Sequence, residues 1–180
     1  MDTLKLVFPD AAYASEIAAY RQEFLDANDS MDGCGPLERF ADPLAWIAET
    51  ERYLKPETTP EGRVPATQFL TIRAADDKLV GLIQVRHPLN DYLAQFGGHI
   101  GYSVRPSERR KGYAKEQLRL ILPYCKEQLG IDRLLITCDD WNAGSRRTIL
   151  GNGGVYENTV LEPDSQERLE RYWIDLSKEA

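Results

Sequence analysis

The fold is decided by one stretch of the sequence, which reads Ile100-Gly101-Tyr102-Ser103-Val104-Arg105-Pro106-Ser107-Glu108-Arg109-Arg110-Lys111-Gly112-Tyr113-Ala114. The residues up to Arg105 are typical of a strand, and a helical pattern begins at Gly112. At a helix N-terminus, free backbone N–H groups and the helix dipole favour an anion. Gly112 lets the backbone approach a ligand closely, and Arg109, Arg110 and Lys111 add positive charge. The turn is therefore predicted to bind a group such as pyrophosphate, the alternative being a basic turn that only caps the helix.

Further elements are predicted on both sides of this stretch. Strands are expected at 4–8, 68–73, 79–86, 133–138, 155–161 and 171–176, and helices at 10–27, 43–54, 112–129 and 142–150. Because strands alternate with helices only in the middle of the chain, we expect an α/β (α+β) domain with a mixed sheet and helices on both faces. One domain over residues 1–180 is predicted, with a helical region at 1–65 and a core at 66–176.

Composition limits the function classes. The chain has 180 residues, of which 42% are hydrophobic and 28% charged, which is typical of a globular domain. No apolar run approaches the roughly 20 residues that span a bilayer, and no signal peptide is apparent. The three cysteines and two histidines lack the spacing of a metal site. We therefore expect a cytoplasmic protein without a metal or a membrane partner.

The charge of the chain is unevenly distributed. The net charge is -7, and residues 1–60 carry 12 acidic and 5 basic side chains. Residues 105–115 hold five bases, Arg105, Arg109, Arg110, Lys111 and Lys115, against the single acid Glu108. A nucleic-acid binder is more often basic overall, so this local patch is not expected to bind nucleic acid.

The central stretch resembles the GNAT (GCN5-related N-acetyltransferase) superfamily. That family's signature is Val-x-Pro at a strand end, then Arg or Gln, two residues, Gly, one residue, and Gly or Ala opening a helix. The chain matches it from Val104 to Ala114. The family's next motif, an Asn with a small residue three positions on and a Gly eleven positions on, is matched by Asn142, Ser145 and Gly153. The resemblance covers about residues 66–176 and implies a mostly antiparallel sheet of six to seven strands.

The resemblance implies acetyl-CoA as the co-substrate. The amides from Arg109 to Ala114 would hold the pyrophosphate, and the strand edge at 102–104 would pair with the pantetheine arm. Asn142 would bond to the pantetheine near Ser145, the alternative being a plain helix cap. The cofactor-binding residues expected in this way are Tyr102, Ser103, Val104, Arg109, Arg110, Lys111, Gly112, Tyr113, Ala114, Asn142 and Ser145.

The catalytic residues are less clearly marked. Many family members place a Tyr seven residues after the motif Asn as the general acid, and here that position is Ile149. Tyr156 or Tyr113 could take its place. His99 is the best candidate for the base because its intrinsic pKa lies near neutrality. A water chain ending on a carboxylate is the alternative base, and a packing role is the alternative for His99.

Three functions follow from these patterns. The first is an N-acetyltransferase that acts by direct attack of a primary amine, from a small molecule or a peptide, on acetyl-CoA. The second is a non-catalytic acyl-CoA-binding sensor or regulatory module, and the third is a binder of nucleic acid or a phospholigand. Asp26, Asp29, Asp32 and Glu38 surround the Gly33-Cys34-Gly35 loop and would attract a cationic amine, unless they only solvate the surface. The last two strands could expose an edge that forms a homodimer.

Overall fold

The computed structural model describes residues 2–177, so Met1 and residues 178–180 of the predicted domain lie outside the described part. The strands are β1 (Leu4–Val7), β2 (Ala66–Arg73), β3 (Lys78–Arg86), β4 (Ile100–Val104), β5 (Arg133–Asp139), β6 (Val155–Leu161) and β7 (Arg168–Asp175). The α-helices are α1 (Ala14–Asp26), α2 (Pro43–Arg52), α3 (Tyr113–Glu127) and α4 (Ala143–Leu150). The predicted element order is confirmed, with shifts of a few residues at the ends.

The strands of the described part form two sheets. One has the order β1-β2-β3-β4 and the other β5-β7-β6, and every hydrogen-bonded pair is antiparallel. The facing edges β4 and β5 are joined at one end, where the His99 N–H donates to the Leu135 carbonyl (2.8 Å). The Leu135 N–H in turn donates to His99 Nδ1 (2.9 Å). The prediction of six to seven mostly antiparallel strands is therefore confirmed, but the strands form two antiparallel sheets divided between β4 and β5 where a single mixed sheet was expected.

Helices cover both faces of the larger sheet because its side chains alternate in direction. On one face Phe69 and Ile83 pack against Leu118 of α3. On the other face Leu70 and Leu82 pack in a second cluster that includes Ile17, Phe24 and Trp46 of α1 and α2. Fully burying a side chain of this size stabilises the fold by about 1.5–3 kcal/mol. The prediction of helices on both faces is confirmed.

The loop between α1 and α2 is fastened to β4. Gly33 has a φ of 68°, and a Cβ at this position would lie 2.2 Å from the carbonyl oxygen of Gly101. The Ser103 hydroxyl donates to the Asp32 carbonyl (2.5 Å), and Gln68 Nε2 donates to the Gly33 carbonyl (2.8 Å). This loop carries Asp29 and Asp32 and is called the acidic loop below. It therefore forms a fixed wall beside the middle of β4.

The free edge of the smaller sheet is β6. Its side chains Val155, Tyr156 and Leu161 are all more than half exposed. This edge has the character expected of a dimer contact, and the homodimer stays a prediction. Within residues 2–177, no helix combines the length and apolarity needed to cross a membrane.

Candidate active site

A cleft of about 950 Å³ opens where β4 and β5 separate. Its walls are β4, the N-terminal turn of α3, the end of β5, the start of α4 and the acidic loop before α2. This volume is in the range of small-molecule sites. Two unpaired strand edges thus face a single cleft, which is where the sequence predicts the pantetheine arm.

The N-terminus of α3 has free backbone donors. Asp42 and Asn142 each cap a helix through a side-chain oxygen, on α2 and α4, whereas Gly112 at the start of α3 supplies no side-chain cap. Gly112 has a φ of 86° and Arg110 a φ of 63°, so the loop turns twice through the left-handed region. Such a turn directs successive amides outward, as in anion-binding nests. The predicted anion site is geometrically present at this helix end.

The loop before α3 is anchored by the carboxylate of Glu108, which is 4% exposed. Arg73, Lys78 and Lys111 contact its two oxygens at 2.8, 2.7 and 2.7 Å. Burial opposes the ionisation of Glu108, but hydrogen bonds from Lys111, Lys78 and Arg73 outweigh it and lower the pKa to about 2. Lys111, predicted to bind the cofactor, is therefore directed to Glu108 and does not line the cleft.

Arg109 lines the cleft but is already committed to protein groups. Its Nε donates to the Val104 carbonyl (3.1 Å), and its guanidinium pairs with Asp29 at 2.7 Å. The guanidinium also lies 5.5 Å from the centre of the Phe24 ring. Arg109 thus connects the predicted cofactor loop to the acidic loop.

Three other cations line the cleft at the α3–α4 end, namely Arg110, Lys115 and Arg147. In the part of the chain that the structure describes, none of them forms an ion pair within 4.0 Å. The side chain of Lys115 packs against the C-terminal end of α4, because a Cβ on Gly151 would lie 3.0 Å from the Lys115 Cε. This end of the cleft carries unbalanced positive charge, which suits a ligand with several phosphates. Arg147 was not among the predicted site residues.

Tyr102, Asn142 and Ser145 meet in the middle of the cleft. The Tyr102 hydroxyl lies 2.6 Å from Ser145 Oγ, and Asn142 Oδ1 accepts a bond from the Ser145 N–H at 3.0 Å. Asn142 is thus a helix cap, the alternative considered above, and it also lines the cleft. Burial raises the pKa of Tyr102, so its hydroxyl keeps its proton at neutral pH. The side chain of Ser103 is directed away from this group, since its hydroxyl donates to the Asp32 carbonyl.

The opposite end of the cleft is acidic. Asp32, from the loop before α2, and Asp139, at the end of β5, both line it. Burial, the nearby charge of Glu167, a hydrogen bond with the Glu167 carboxyl and the charge of Asp32 raise the pKa of Asp139 to about 6. Burial also raises the pKa of Asp32. A carboxyl group that titrates near neutrality can take up a proton in the working pH range.

The two predicted catalytic residues do not line this cleft. The His99 side chain is 9% exposed and its Nδ1 is occupied by the Leu135 N–H, so it joins the two sheets. Burial lowers the pKa of His99 to about 4, which makes it a weak base. Tyr156 lies on β6 with its hydroxyl 2.8 Å from Thr159 Oγ. Tyr113 was the other residue considered as the general acid. Its hydroxyl donates to Asp2 and accepts a hydrogen bond from Arg73.

Several residues of the cleft were not found from the sequence as site residues. Arg86, Asp139 and Trp141 line it, and Trp141 is 71% exposed. The position of Asp139 directly after a buried strand, beside the Asn142 motif, was the available signal. Ile149, where many relatives of the resembled family have Tyr, is fully buried in the core. No group of three or more His, Cys, Asp or Glu side chains that could hold a metal ion occurs within residues 2–177.

Comparison with known proteins identifies the family. The family model described as the acetyltransferase (GNAT) domain matches residues 23–155. The chain therefore belongs to the GNAT acetyltransferase family, as the two motifs predict. The uncharacterised N-acetyltransferase YnaD of Bacillus subtilis (strain 168) is 27% identical over 121 residues, 63% of this chain. That match spans slightly less than two thirds of YnaD, 66% of its length.

Solved structures show the same fold at low identity. The microcin C7 self-immunity acetyltransferase MccE, solved with acetyl-CoA and AMP, aligns with a TM-score of 0.71 at 17% identity over 97% of this chain and 93% of its own. RimL, a ribosomal L7/L12 alpha-N-protein acetyltransferase solved with coenzyme A, aligns with a TM-score of 0.72 at 13% identity, over 97% and 95%. The predicted GNAT fold is confirmed, and both neighbours were solved with acetyl-CoA or coenzyme A.

Proposed function

We propose that this protein is an N-acetyltransferase that transfers the acetyl group of acetyl-CoA to a primary amine by direct attack. The observation that carries the proposal is the charge layout of the cleft. Free amides and the cations Arg110, Lys115 and Arg147, which form no ion pair within residues 2–177, lie at one end, and the carboxyls of Asp32 and Asp139 lie at the other. An anionic cofactor would be attracted to the basic end of the cleft, and a cationic amine to the acidic end.

The residues present fit coenzyme A. The α3 amides and Arg110 would hold the pyrophosphate. The free edge of β4 would pair with the amide groups of the pantetheine arm, because β4 bonds to β3 on its other edge. A backbone N–H of this edge would stabilise the negative charge that develops on the thioester oxygen. Acetyl-CoA supplies the activated acetyl group, and the chain positions it.

Asp139 is the proton acceptor in this proposal. An aliphatic amine with a pKa of about 10 arrives protonated and must lose a proton before its nitrogen can attack the thioester carbon. Asp139, in its ionised form, would take that proton directly or through a water. Asp32, on the facing wall, would hold the ammonium group beforehand. This replaces His99 as the base with the carboxylate alternative considered from the sequence.

The leaving thiolate needs a proton after the carbon–sulfur bond breaks. Tyr102 and Ser145 share a hydrogen bond in the middle of the cleft and both carry a hydroxyl proton. They would supply the proton in place of the absent Tyr at position 149. A thiol pKa of about 8.5 makes the thiolate a tolerable leaving group, so this assistance is moderate.

Calorimetric titration of acetyl-CoA, followed by thiol release with a panel of amines, tests the proposal. Gly112→Glu places an anion at the proposed phosphate site, and Gly62→Glu is its matched control. Gly62 has a φ of 74° with no neighbour near its Cβ position, so it carries the same backbone strain away from the cleft. We expect a Kd below ~100 μM, at a free energy of about -5.5 kcal/mol or better, for the wild type and the control but not for Gly112→Glu.

The outcomes of this titration separate the alternatives. Thiol release with an amine supports the enzyme. Binding without thiol release from any amine would favour the acyl-CoA sensor, and no binding by the wild type would overturn both. Binding to RNA or DNA that falls steeply with salt would support the third function. The cytoplasmic location, and a small-molecule or peptide acceptor, remain part of this proposal.

A further inference from the structure

Arg86 is a cation that lines the cleft. It is the last residue of β3, and its guanidinium donates to the carbonyls of Gly97 (2.9 Å) and Gly98 (3.1 Å). Both bonds come from the same terminal nitrogen, Nη1. The other terminal nitrogen, Nη2, lies 3.3 Å from where a Cβ of Gly101 would stand, beside the middle of β4. Arg86 forms no ion pair within 4.0 Å among residues 2–177.

The surroundings of this guanidinium make its positive charge costly. Burial lowers the pKa of Arg86, and the charge of Asp32 only partly opposes that effect. An arginine nevertheless stays protonated at every pH at which proteins fold. Because a desolvated charge is stabilised by a partner of opposite sign, an anion that enters the cleft beside Gly101 would bind Arg86 strongly.

The anion that reaches Arg86 has to come from the acceptor. On the proposed function, the phosphates of coenzyme A occupy the α3–α4 end, beside Arg110, Lys115 and Arg147. The pantetheine arm and the acetyl group, which lie along β4, carry no charge. Only the second substrate can bring an anionic group to the acidic-loop end of the cleft, where Arg86 and Asp32 lie.

We propose that Arg86 binds a carboxylate of the acceptor, so that the preferred acceptors are amino-acid-type amines with a carboxylate a few bonds from the amine. This inference rests on the proposed function. The ammonium group would face Asp32 and Asp139 while the carboxylate faces Arg86, so both charges of the zwitterion are matched. The carboxylate can belong to a free amino acid or to an acidic first side chain of a peptide.

The test compares acceptors in pairs that differ only in the carboxylate. Thiol release from acetyl-CoA is measured with free amino acids and their carboxamides, and with dipeptide amides that begin with Glu or Gln. In the wild type, kcat/KM for the carboxylate member of at least one pair should exceed that of its partner by about 10-fold or more, the range of a hydrogen bond between charged groups. The two kinds of pair distinguish a free amino acid from a peptide.

The Arg86→Gln variant should reduce this ratio to about 1–3 by slowing the carboxylate members while sparing the amides. The ratio is measured within one protein preparation, so loss of folded protein through the missing Gly97 and Gly98 bonds cancels. Arg86→Lys, which keeps the charge, should retain part of the preference. Arg119→Gln, an exposed residue of α3 paired with Glu116, is the control and should leave the ratio unchanged.

Two results would overturn the inference while leaving the proposed function intact. One is equal kcat/KM for carboxylates and amides in the wild type. The other is an equal loss on both members of each pair in Arg86→Gln, which would assign Arg86 to the loop or to the thioester oxygen. If acetyl-CoA binds but no amine of any pair is acetylated, the proposed function itself fails and this inference fails with it.

Discussion

The hydroxyl groups of Tyr102 and Ser145 lie 2.6 Å apart, and this contact joins β4 to α4 across the cleft. Tyr102 lies on the central strand two residues before the first motif, and Ser145 belongs to the second motif, on the helix that follows β5. Since β4 and β5 belong to separate sheets, the contact also helps to set the width of the cleft. It brings two hydroxyl protons to the middle of the proposed site.

We expect Tyr102→Phe to lower kcat by about 10-fold, because it removes the hydroxyl that relays a proton to the leaving thiolate. Ser145→Ala should have a similar effect, and the double variant should lose little more, since the two groups act as one unit. Steady-state thiol release at saturating acetyl-CoA measures this. The KM for acetyl-CoA should change by less than ~3-fold. A rise in KM at unchanged kcat would show that the pair only positions the cofactor.

The pKa of Asp139, about 6, predicts the acidic limb of the rate profile. If Asp139 accepts the proton of the amine, kcat/KM should rise as the pH increases through about 6. Asp139→Asn should remove that limb and lower kcat by about 100-fold or more. Glu167→Gln should move the limb to lower pH while keeping most of kcat, because the charge and the hydrogen bond of Glu167 help to raise this pKa.

The stability of these variants provides a check that does not depend on activity. The folded-state pKa of Asp139 lies above the ordinary value for an Asp. Its contribution to the free energy of unfolding is therefore present below about pH 4 and is lost as the pH rises through about 6. Asp139→Asn should therefore raise Tm at pH 8 more than at pH 4. If the acidic limb of kcat/KM persists in Asp139→Asn, a group other than Asp139 accepts the proton of the amine.

Lys115 and Arg147 should contribute to recognition of the phosphates of coenzyme A. We expect Lys115→Gln and Arg147→Gln each to weaken acetyl-CoA binding by about 5–30-fold at low salt, since each removes an unpaired cation from the cleft. Binding to the wild type should weaken with added salt, and less so in the variants. Calorimetry at two salt concentrations measures this. Lys126→Gln, on the last turn of α3 and paired with Asp132, is the control. Equal weakening in the control would contradict a specific role.

Glu108 should make the cofactor loop sensitive to acid. Its folded-state pKa of about 2 lies below the ordinary value, so its contribution to stability is present above about pH 4.5 and is lost as the pH falls towards 2. Glu108→Gln should lower Tm at pH 7 and weaken acetyl-CoA binding, because Lys78 and Lys111 lose their anion and Arg73 keeps only its pair with Asp76. Thermal unfolding between pH 3 and 7 should show the two proteins converging at low pH. A constant difference in Tm would contradict this role.

The conformation of the predicted cofactor loop follows from signals that are local in the sequence. Gly112 at a strand–helix junction and the motif residue Asn142 each define a conformation within a few residues, and both lie in the cleft. Lys111 is different, since its direction depends on Glu108. That carboxylate is buried by Arg73 and Lys78, which arrive from a distant hairpin.

The proposed proton acceptor could not be predicted from the sequence, because its pKa depends on how the two sheets meet. His99 has a suitable intrinsic pKa, but its contact with Leu135 across the sheet division removes it from the cleft and lowers that pKa to about 4. Asp139 has an unsuitable intrinsic pKa, and burial beside Glu167 raises it to about 6. Both changes come from contacts between residues far apart in the chain.

The close packing of Gly33 on Gly101 means that holding the acidic loop against β4 and contacting the amine depend on different atoms of that loop. Since the contact is made by backbone atoms, and a Cβ on Gly33 would collide with the Gly101 carbonyl, this point of the acidic loop is held against β4 without a side chain. Substitutions at Asp29, Ser30 and Asp32 should then leave in place β4, the strand proposed to position the thioester, although a change at Asp29 also removes its ion pair with Arg109. Retargeting the enzyme to a new amine should therefore begin with libraries at these three positions, with both glycines left intact.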